Sequence, residues 1–401
     1  MKKIKKENKK LRGDPMFNLA DRLQALPPYL FAEIDAIKSK KMKENINIID
    51  LGVGDPDLPT PKHIVDAMKK AVEKVENQKY PSYEGSTEFR EAVANFYKRR
   101  KGVELDPSKN VLALIGSKEG IAHLPLAFVN PGDYVLIPDP GYPVYNASAI
   151  LAGGKPYYIP LLEDNNFLPD LDSIPDEIAR KSKLMFLNYP NNPTTAVAEM
   201  DFIKEAVDFC IDNKIILAHD AAYSEITFNY RARSFLEYDE AFEVTIEFNS
   251  LSKTYNMTGW RIGFAVGNHE ILSGLLKVKT NIDSGVFQAI QEAASVALNG
   301  SDEVIEQINK IYEERRNKFV KGLRKLGFKV NYPKATFYVW FRVPEGYTSI
   351  DFSKKLLEDA GIVVTPGIGF GKNGEGFVRV SLTKPINIID EALKRLERIE
   401  F

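Results

Sequence analysis

Seven short apolar runs alternate with longer helical patterns through the middle of this sequence. The runs are NVLALIGS, DYVLIPDP, KPYYIPL, KLMFLNYP, KIILAHDAA, VTIEFNSLS and RIGFAVGN, all between residues 110 and 268. Nearly continuous apolar runs are typical of strands buried on both faces of a parallel sheet. Intervening segments such as EGIAHLPLAFV and MDFIKEAVDFCIDN have helical periodicity. The alternation predicts an α/β fold, with a mostly parallel sheet flanked by helices.

The pattern changes near residue 300. A long charged helix is predicted for SDEVIEQINKIYEERRNKFVKGLRKLG, and a shorter helix for SIDFSKKLLEDAG. The segments KVNYP, ATFYVWFRV and EGFVRVSL are predicted to be strands of a smaller sheet. We therefore expect an N-terminal segment (1–61) that packs with a small C-terminal α+β domain (299–401), and a large domain between them (62–298).

Composition restricts the possible partners. The chain has 54 Lys and Arg against 55 Asp and Glu, a formal charge of -1, so the net charge indicates neither nucleic acid nor a membrane surface. Small molecules or copies of the same chain are the expected partners. The lysine-rich start, MKKIKKENKK, lacks the apolar core of a signal peptide. Cys210 is the single cysteine, which excludes an internal disulfide and fits a reducing cytoplasm. The four histidines lack metal-site spacing, so no metal is predicted: His63, His123, His219 and His269.

Polar clusters stand where several predicted strands end, and ligands of open parallel sheets gather there. GSKEG (116–120) opens a helix and offers backbone donors to an anion, although a simple helix cap explains it equally well. NYPNNPTTAV (188–197) fits either a binding loop or a plain turn. HDAAYSEI (219–226) places Asp220 at a strand end, where an unpaired carboxylate is costly and needs a cation.

The segment NSLSKTYNMTGWRIGF (249–264) combines two serines, an amine (Lys253) and a guanidinium (Arg261). These groups suit a phosphate beside a reactive lysine, whereas the ordinary alternative is a solvated loop lysine. A lysine amine, a carboxylate in need of a cation and a phosphate site are together what pyridoxal 5'-phosphate (PLP) requires.

With these motifs, the chain resembles the class I, fold-type I PLP-dependent aminotransferases from about residue 17 onward. The Ser-x-Ser-Lys segment followed by Gly-x-Arg carries the resemblance most specifically. Four further stretches are similar to the LL-diaminopimelate aminotransferase branch: GVGDPDLPTP, YPSYEGSTEFR, GSKEGIAHLPLAFVNPGDYVLIPDPGYPVY and IDSGVFQAIQEA. The resemblance implies a fold-type I PLP transferase that acts on amino acids and 2-oxo acids.

The resemblance also implies roles for individual residues around the cofactor. Lys253 holds PLP as an internal aldimine and acts as general acid and base. Asp220 pairs with the pyridinium nitrogen, while Tyr223 and Asn192 share the ring oxygen. Tyr142 stacks on the ring, although a core tyrosine is the alternative. The remaining implied ligands bind the phosphate: Ser117, Lys118, Ser250, Ser252, Arg261 and, from a neighbouring subunit, Tyr80.

For the substrate, the resemblance implies that Arg379 grips the α-carboxylate by a two-pronged ion pair. Gly54 places its backbone against that carboxylate, and Asn192 and Lys118 lie beside it. Tyr29 lines the far end of the substrate or, alternatively, is an apolar anchor for the N-terminal segment. The contribution of Tyr80 across subunits implies a twofold homodimer with shared active sites.

The implied reaction is a ping-pong transfer from LL-diaminopimelate to 2-oxoglutarate in lysine biosynthesis, in which the keto product cyclises to tetrahydrodipicolinate. Alternatives are a broader aspartate, alanine or aromatic aminotransferase, a carbon–sulfur lyase, and a non-catalytic PLP-binding module. Two positions depart from the family. Thr195 stands where the family has a turn glycine, so a changed loop is expected if positive φ is essential there. Residues 277–285 lack an arginine that aspartate aminotransferases use for a distal carboxylate, which favours a substrate with a zwitterionic far end.

Overall fold

The computed structural model describes residues 17–27, 32–44 and 47–401. Its helices are α1 (Asp21–Gln24), α2 (Ala32–Lys43), α3 (Lys62–Val72), α4 (Thr87–Lys101), α5 (Ser117–Phe128), α6 (Pro143–Leu151), α7 (Asp176–Lys181), α8 (Met200–Asn213), α9 (Leu251–Thr254), α10 (His269–Ile282), α11 (Gln288–Asn299), α12 (Glu303–Lys325), α13 (Ser349–Ala360) and α14 (Ile386–Leu396). Its strands are β1 (Ile49–Asp50), β2 (Val111–Leu114), β3 (Tyr134–Asp139), β4 (Lys155–Pro160), β5 (Ser182–Asn188), β6 (Ile216–Asp220), β7 (Thr245–Ser250), β8 (Gly263–Gly267), β9 (Tyr338–Arg342), β10 (Ile362–Val363), β11 (Thr365–Pro366) and β12 (Phe377–Ser381).

All seven apolar runs between residues 110 and 268 form strands of one sheet, in the order β2-β8-β7-β6-β5-β3-β4. The five strands β3 to β7 are parallel to one another. β8 runs antiparallel between β7 and β2. The predicted fold class, a mostly parallel sheet flanked by helices, is confirmed.

Two apolar cores cover the two faces of this sheet. Successive side chains of a strand point to opposite faces, and β5 shows the division clearly. Leu184 and Phe186 belong to the core that includes buried residues of α5, α6 and α10. Met185 and Leu187 belong to the core that includes residues of α4, α8 and α11. Burial on both faces explains why most of these runs read as continuous rather than alternating, whereas the edge strand β4 is partly exposed.

A second, three-stranded antiparallel sheet (β11-β12-β9) packs with α12, α13 and α14 around its own core. The long charged helix, the shorter helix and two of the three predicted strands are therefore confirmed. The predicted strand KVNYP is wrong, because residues 329–333 form no strand. Their carbonyls are bonded from a helix instead: Arg324 donates to Val330 and Arg316 to Pro333, each at 2.8 Å.

The residues around 50 lie against the C-terminal part of the chain. β1 pairs in parallel with β10, and the Ser381 amide donates to the Leu51 carbonyl at 2.7 Å. Arg315 of α12 forms a two-pronged pair with Asp57 at 2.6 and 2.9 Å. The domain boundaries after residues 61 and 298 stay predictions. Among the helices of the described ranges, none combines the length and the apolar character needed to cross a membrane.

Candidate active site

The predicted site residues gather at the carboxyl edge of the seven-stranded sheet. Asp220 and Ser250 are the last residues of β6 and β7, and Lys253 follows on the short helix α9. Tyr142 and Asn192 lie just beyond the ends of β3 and β5. Because parallel strands end at one edge, residues far apart in the sequence meet there.

Asp220 is a buried carboxylate without a basic partner among the described residues. Its side chain is 6% exposed, and it accepts a hydrogen bond from the Tyr145 hydroxyl at 2.7 Å and one from the Ala222 amide at 3.2 Å. Burial raises the pKa of Asp220 above its ordinary value, although both hydrogen bonds oppose the shift. A buried carboxylate of this kind favours a bound cation such as a protonated pyridine nitrogen.

The Lys253 amine points at the N-terminal segment. Its Nζ donates to the Gly54 carbonyl at 3.1 Å and lies 5.7 Å from the centre of the Phe337 ring. Burial lowers the pKa of Lys253 to about 8, and the charges of Arg379 and Arg261 act in the same direction. Asp55 and Asp220 oppose the shift without cancelling it. A lysine in this state is neutral often enough to act as a nucleophile or base near pH 7.

An anion cradle lies between α5 and α9. Gly116 has φ +81°, and a Cβ on it would stand 2.4 Å from Nη2 of Arg261, so only glycine lets the guanidinium approach the start of α5. The other guanidinium nitrogen, Nη1, donates to the Thr258 carbonyl at 2.8 Å. Ser117 begins α5, and the buried Ser252 hydroxyl has no hydrogen-bond partner. A helix start, a guanidinium and an orphaned hydroxyl together fit a phosphate.

Arg379 of β12 forms a second anion site on the opposite wall. Nη1 donates to Asn192 Oδ1 and Nη2 to the Gly52 carbonyl, both at 2.7 Å. The guanidinium carbon lies 4.2 Å from the Tyr338 ring centre and 4.8 Å from that of Phe370. Nε is buried and has no partner. An arginine that lies near two aromatic rings, with one donor left over, suits a carboxylate.

The aromatic residues of the site contact one another. The Tyr223 hydroxyl lies 3.0 Å from that of Tyr338, and burial raises the pKa of Tyr223, which keeps its phenol neutral. A Cβ on Gly54 would stand 1.9 Å from the Tyr338 hydroxyl, so glycine is required there. Tyr142 meets Tyr145 edge-to-face at 5.8 Å, and burial raises the pKa of Tyr142 to about 12.

Two predicted residues, Tyr80 and Lys118, are exposed in the single chain. Tyr80 is 89% exposed, so it faces away from its own chain. Lys118 is exposed at the start of α5. Tyr29 lies outside the described residues. Thr195, which stands where the family has a turn glycine, has φ +65°, so the threonine itself adopts the left-handed backbone that favours glycine.

Sequence reasoning missed Tyr145, Tyr338 and Phe370. Tyr145 was within reach of a pattern argument, because it follows Tyr142 by three residues on the first turn of α6. The other two meet Arg379 only through the pairing and packing of the small sheet, which the sequence does not display. Glu119 and Asp283 also gather near His123, but the buried Lys279 ammonium lies 3.0 Å from Asp283 and 3.6 Å from Glu119. This acidic cluster therefore already has its cation.

Comparison with known proteins agrees with this geometry. Residues 46–396 match the model of the family "Aminotransferase class I and II". The chain belongs to this family, whose members are PLP-dependent transaminases. The buried acid, the lysine of lowered pKa and the phosphate cradle are what such an enzyme needs.

Individual relatives span nearly the whole chain. An LL-diaminopimelate aminotransferase from Aquifex aeolicus is 57% identical over 386 residues, covering 96% of this chain and 100% of the relative. One from Halothermothrix orenii is 55% identical and covers 94% of this chain and 97% of the relative. Among solved structures, substrate-bound BacF from Bacillus subtilis superposes with a TM-score of 0.91 at 41% identity, over 96% of this chain and 98% of BacF.

Proposed function

We propose that this chain is an LL-diaminopimelate:2-oxoglutarate aminotransferase of lysine biosynthesis that works by a ping-pong mechanism. The observation that carries the proposal is full-length identity of 52–57% with several LL-diaminopimelate aminotransferases. The site geometry supports it, since one cleft combines an acid, an amine and two anion subsites. When bound, PLP supplies an electron sink for the bond to hydrogen at the substrate Cα.

The following residues would hold PLP in the roles that the family resemblance implies. Asp220 pairs with the ring nitrogen, and Tyr145 orients its carboxylate through the 2.7 Å hydrogen bond. Tyr223 and Asn192 bind the ring oxygen, and Tyr142 covers the ring face. The phosphate ligands are Ser117, Lys118, Ser250, Ser252 and Arg261.

Lys253 is the proton carrier of the proposed reaction. Its neutral form takes the proton from Cα of the amino donor, and its protonated form returns one to Cα of the new amino acid in the second half-reaction. A pKa of about 8 permits both states near neutral pH. Arg379 binds the α-carboxylate with help from its free Nε, and Gly54 leaves the room that this carboxylate needs.

Helix α10, which ends just before residue 283, carries Lys279, a cation that would have to be free to bind the far end of a substrate. Lys279 is fully buried and paired with Asp283, so it is not available to bind a distal carboxylate. The distal carboxylate of either substrate is therefore bound by residues other than Lys279. Glutamate leaves as the second product when 2-oxoglutarate accepts the amine.

We further propose a twofold homodimer in the cytoplasm, in which Tyr80 of the partner subunit reaches the phosphate. The 89% exposure of this tyrosine in the single chain supports the sharing. The buried, unpaired Cys210 thiol is compatible with a reducing compartment.

The test is a half-reaction with each donor alone. LL-diaminopimelate without 2-oxo acid is expected to bleach the visible cofactor band of the wild type, whereas Lys253→Ala lacks that band. Bleaching by aspartate, alanine or an aromatic amino acid, but not by LL-diaminopimelate, would contradict the substrate. Release of pyruvate and ammonia would instead indicate a carbon–sulfur lyase.

A further inference from the structure

Asp139, the last residue of β3, joins the two sheets beside the active site. Its carboxylate is 5% exposed and accepts hydrogen bonds from the Asn373 amide at 3.2 Å and from the Asn373 side chain at 2.8 Å. Two residues on, the Gly141 amide donates to the Phe370 carbonyl at 2.8 Å. The end of β3 is therefore bound to the loop 367–374, which connects β11 to β12.

The loop is shaped for this carboxylate. Gly371 has φ +134°, and a Cβ on it would stand 1.9 Å from Oδ1 of Asp139. Any other residue would push the loop away. Burial raises the pKa of Asp139, and the bonds from Asn373 oppose that shift. Burying the Asp139 carboxylate costs free energy, and the hydrogen bonds from the loop offset most of this cost. The contact between Asp139 and the loop is therefore specific.

Both ends of this contact continue into the proposed site. Tyr142, the proposed ring-stacking residue, lies three positions after Asp139. On the other side, the Phe370 ring lies 4.8 Å from the guanidinium carbon of Arg379 and edge-on to Trp340 at 6.2 Å. The loop that the Asp139 carboxylate binds therefore carries Phe370, one of the two rings that lie near the Arg379 guanidinium.

A different connection holds the sheets together on the far side of the site. After β6, the Thr336 amide donates to the Ile226 carbonyl and the Phe228 amide to the Lys334 carbonyl, each at 2.8 Å. β6 and β3 are two strands apart in the sheet, which is about 10 Å. The bond between Asn192 and Arg379 lies between these two connections, because Asn192 follows β5. The far side is fixed by two backbone bonds, whereas the Asp139 side combines one backbone bond, from Gly141 to Phe370, with the buried carboxylate.

We propose that Asp139 is a positioning residue for substrate binding. With Gly141, Phe370, Gly371 and Asn373 it forms a clasp that holds the loop 367–374 closed and keeps Phe370 against Arg379. Asp139 does not touch the substrate; it sets the shape of the α-carboxylate subsite. The inference rests on the assignment of Arg379 to that carboxylate.

Steady-state kinetics of Asp139→Ala and Asn373→Ala test the clasp. In each variant we expect KM to rise about tenfold for both the amino donor and the 2-oxo acid, which is the size of effect that loss of one coupled contact produces. We expect kcat to stay within about threefold of wild type. The double variant is expected to be no worse than the poorer single variant. A lower kcat with unchanged KM would mean that Asp139 only supports folding, and would overturn the proposal.

The matched control is Glu163→Ala. Glu163 pairs with Arg342 at 2.7 Å, so it also links the two sheets, but from the exposed surface. Its loss is expected to leave KM unchanged. If Glu163→Ala raised KM as much as Asp139→Ala did, any link between the two sheets would support substrate binding equally well. The specific role proposed for Asp139 would then be wrong.

Amide hydrogen exchange of the PLP-loaded protein without substrate separates the clasp from the proposed function. Exchange in residues 367–376 is expected to be faster in Asp139→Ala and unchanged in Glu163→Ala. Unchanged exchange in Asp139→Ala would overturn the clasp, even in an active enzyme. A wild type that fails to transaminate would reject the function but not the clasp. If Asp139→Ala does not fold, Asn373→Ala and Gly371→Ala carry the same test.

Discussion

Lys253 is the residue whose charge state most directly governs the proposed chemistry. At pH 7, an amine with a pKa of about 8 is about one-tenth neutral, whereas an ordinary lysine is neutral in about one molecule in 3,000. Only the neutral amine can attack the aldehyde of PLP. Burial and two nearby arginines therefore increase the reactive fraction by more than two orders of magnitude.

We expect the rate of PLP uptake by the cofactor-free protein to rise about tenfold per pH unit and to level off above about pH 8. The neutral fraction of the Lys253 amine increases as pH rises through its lowered pKa, so the rate of PLP uptake increases with pH. Stopped-flow absorbance in the visible range measures this rate, and Lys253→Ala serves as the blank. A rise that continues to about pH 10 would show that the amine is unperturbed.

Thr195 stores backbone strain, because a β-branched residue is held at φ +65°. We expect Thr195→Gly to stabilise the protein by about 1 kcal/mol, because relief of the strain exceeds the extra entropy of an unfolded glycine. Thermal unfolding at a fixed scan rate measures the change. Thr194→Gly is the matched control: its φ is not positive and its hydroxyl bonds Asn191 at 2.8 Å, so it should destabilise. Equal shifts in both variants would contradict the strain.

At the scale of elements, β6 and β7 are tied together by a buried polar network beneath the site. Glu247 of β7 accepts hydrogen bonds from Tyr97, from the His219 ring at 2.8 Å and from Ser234 at 3.0 Å. The other ring nitrogen of His219 faces the Tyr189 carbonyl at 2.9 Å. Both nitrogens of this ring therefore face hydrogen-bond acceptors. This buried pair sits one residue before Asp220 and fixes the register there.

We expect Glu247→Gln to destabilise the protein by about 3 kcal/mol at pH 7, because the amide nitrogen cannot accept the hydrogen bonds that one oxygen of the buried carboxylate receives. Burial acts to raise the pKa of Glu247, but His219 and Tyr97 outweigh it and lower the pKa. The stabilisation by the Glu247 carboxylate is therefore complete at pH values above the pKa of this group in the unfolded chain. It is lost as pH falls through the lower pKa of the folded protein, so the difference in unfolding free energy between variant and wild type should narrow in acid. Urea unfolding measures it. The control is Ser234→Ala, which removes one hydroxyl and should destabilise the protein by only about 1 kcal/mol. If the two variants lost equal stability, the charge of the Glu247 carboxylate would not matter.

The elements differ in how far the sequence could predict them. All seven strands of the large sheet were predicted, because most of them are buried on both faces and leave continuous apolar runs, although the edge strand β4 is partly exposed. KVNYP has the composition of an edge strand, but arginines of α12 donate hydrogen bonds to its carbonyls. No local sequence pattern indicates these long-range bonds. Lys253, Asp220 and Arg261 were predictable since each stands in a recognisable motif. Asp139, Tyr338 and Phe370 were not, because their importance comes only from contacts between the two sheets.

At the scale of the whole molecule, one face of the chain exposes apolar side chains beside the 75–83 stretch. Val75 is 72% exposed, Tyr80 89% and Ile282 54%. The two segments that carry them touch, since a Cβ on Gly285 would stand 2.8 Å from the Ser82 carbonyl. Neighbouring exposed apolar groups of this kind mark an interaction surface. A second copy of the chain is the partner that would also bring Tyr80 to a phosphate.

Hybrid dimers test this sharing. Lys253→Ala chains lack the amine, and Tyr80→Ala chains lack the ligand that they would give to their partner. In a hybrid of the two, one site loses both groups, while the other keeps its own Lys253 and receives an intact Tyr80 from the partner subunit. We therefore expect hybrids, isolated with two different tags and assayed at limiting PLP, to show about half of the wild-type activity, far above either parent. If Tyr80 serves the site of its own chain, each site of the hybrid keeps one defect, and the hybrid will be no more active than the mean of its parents.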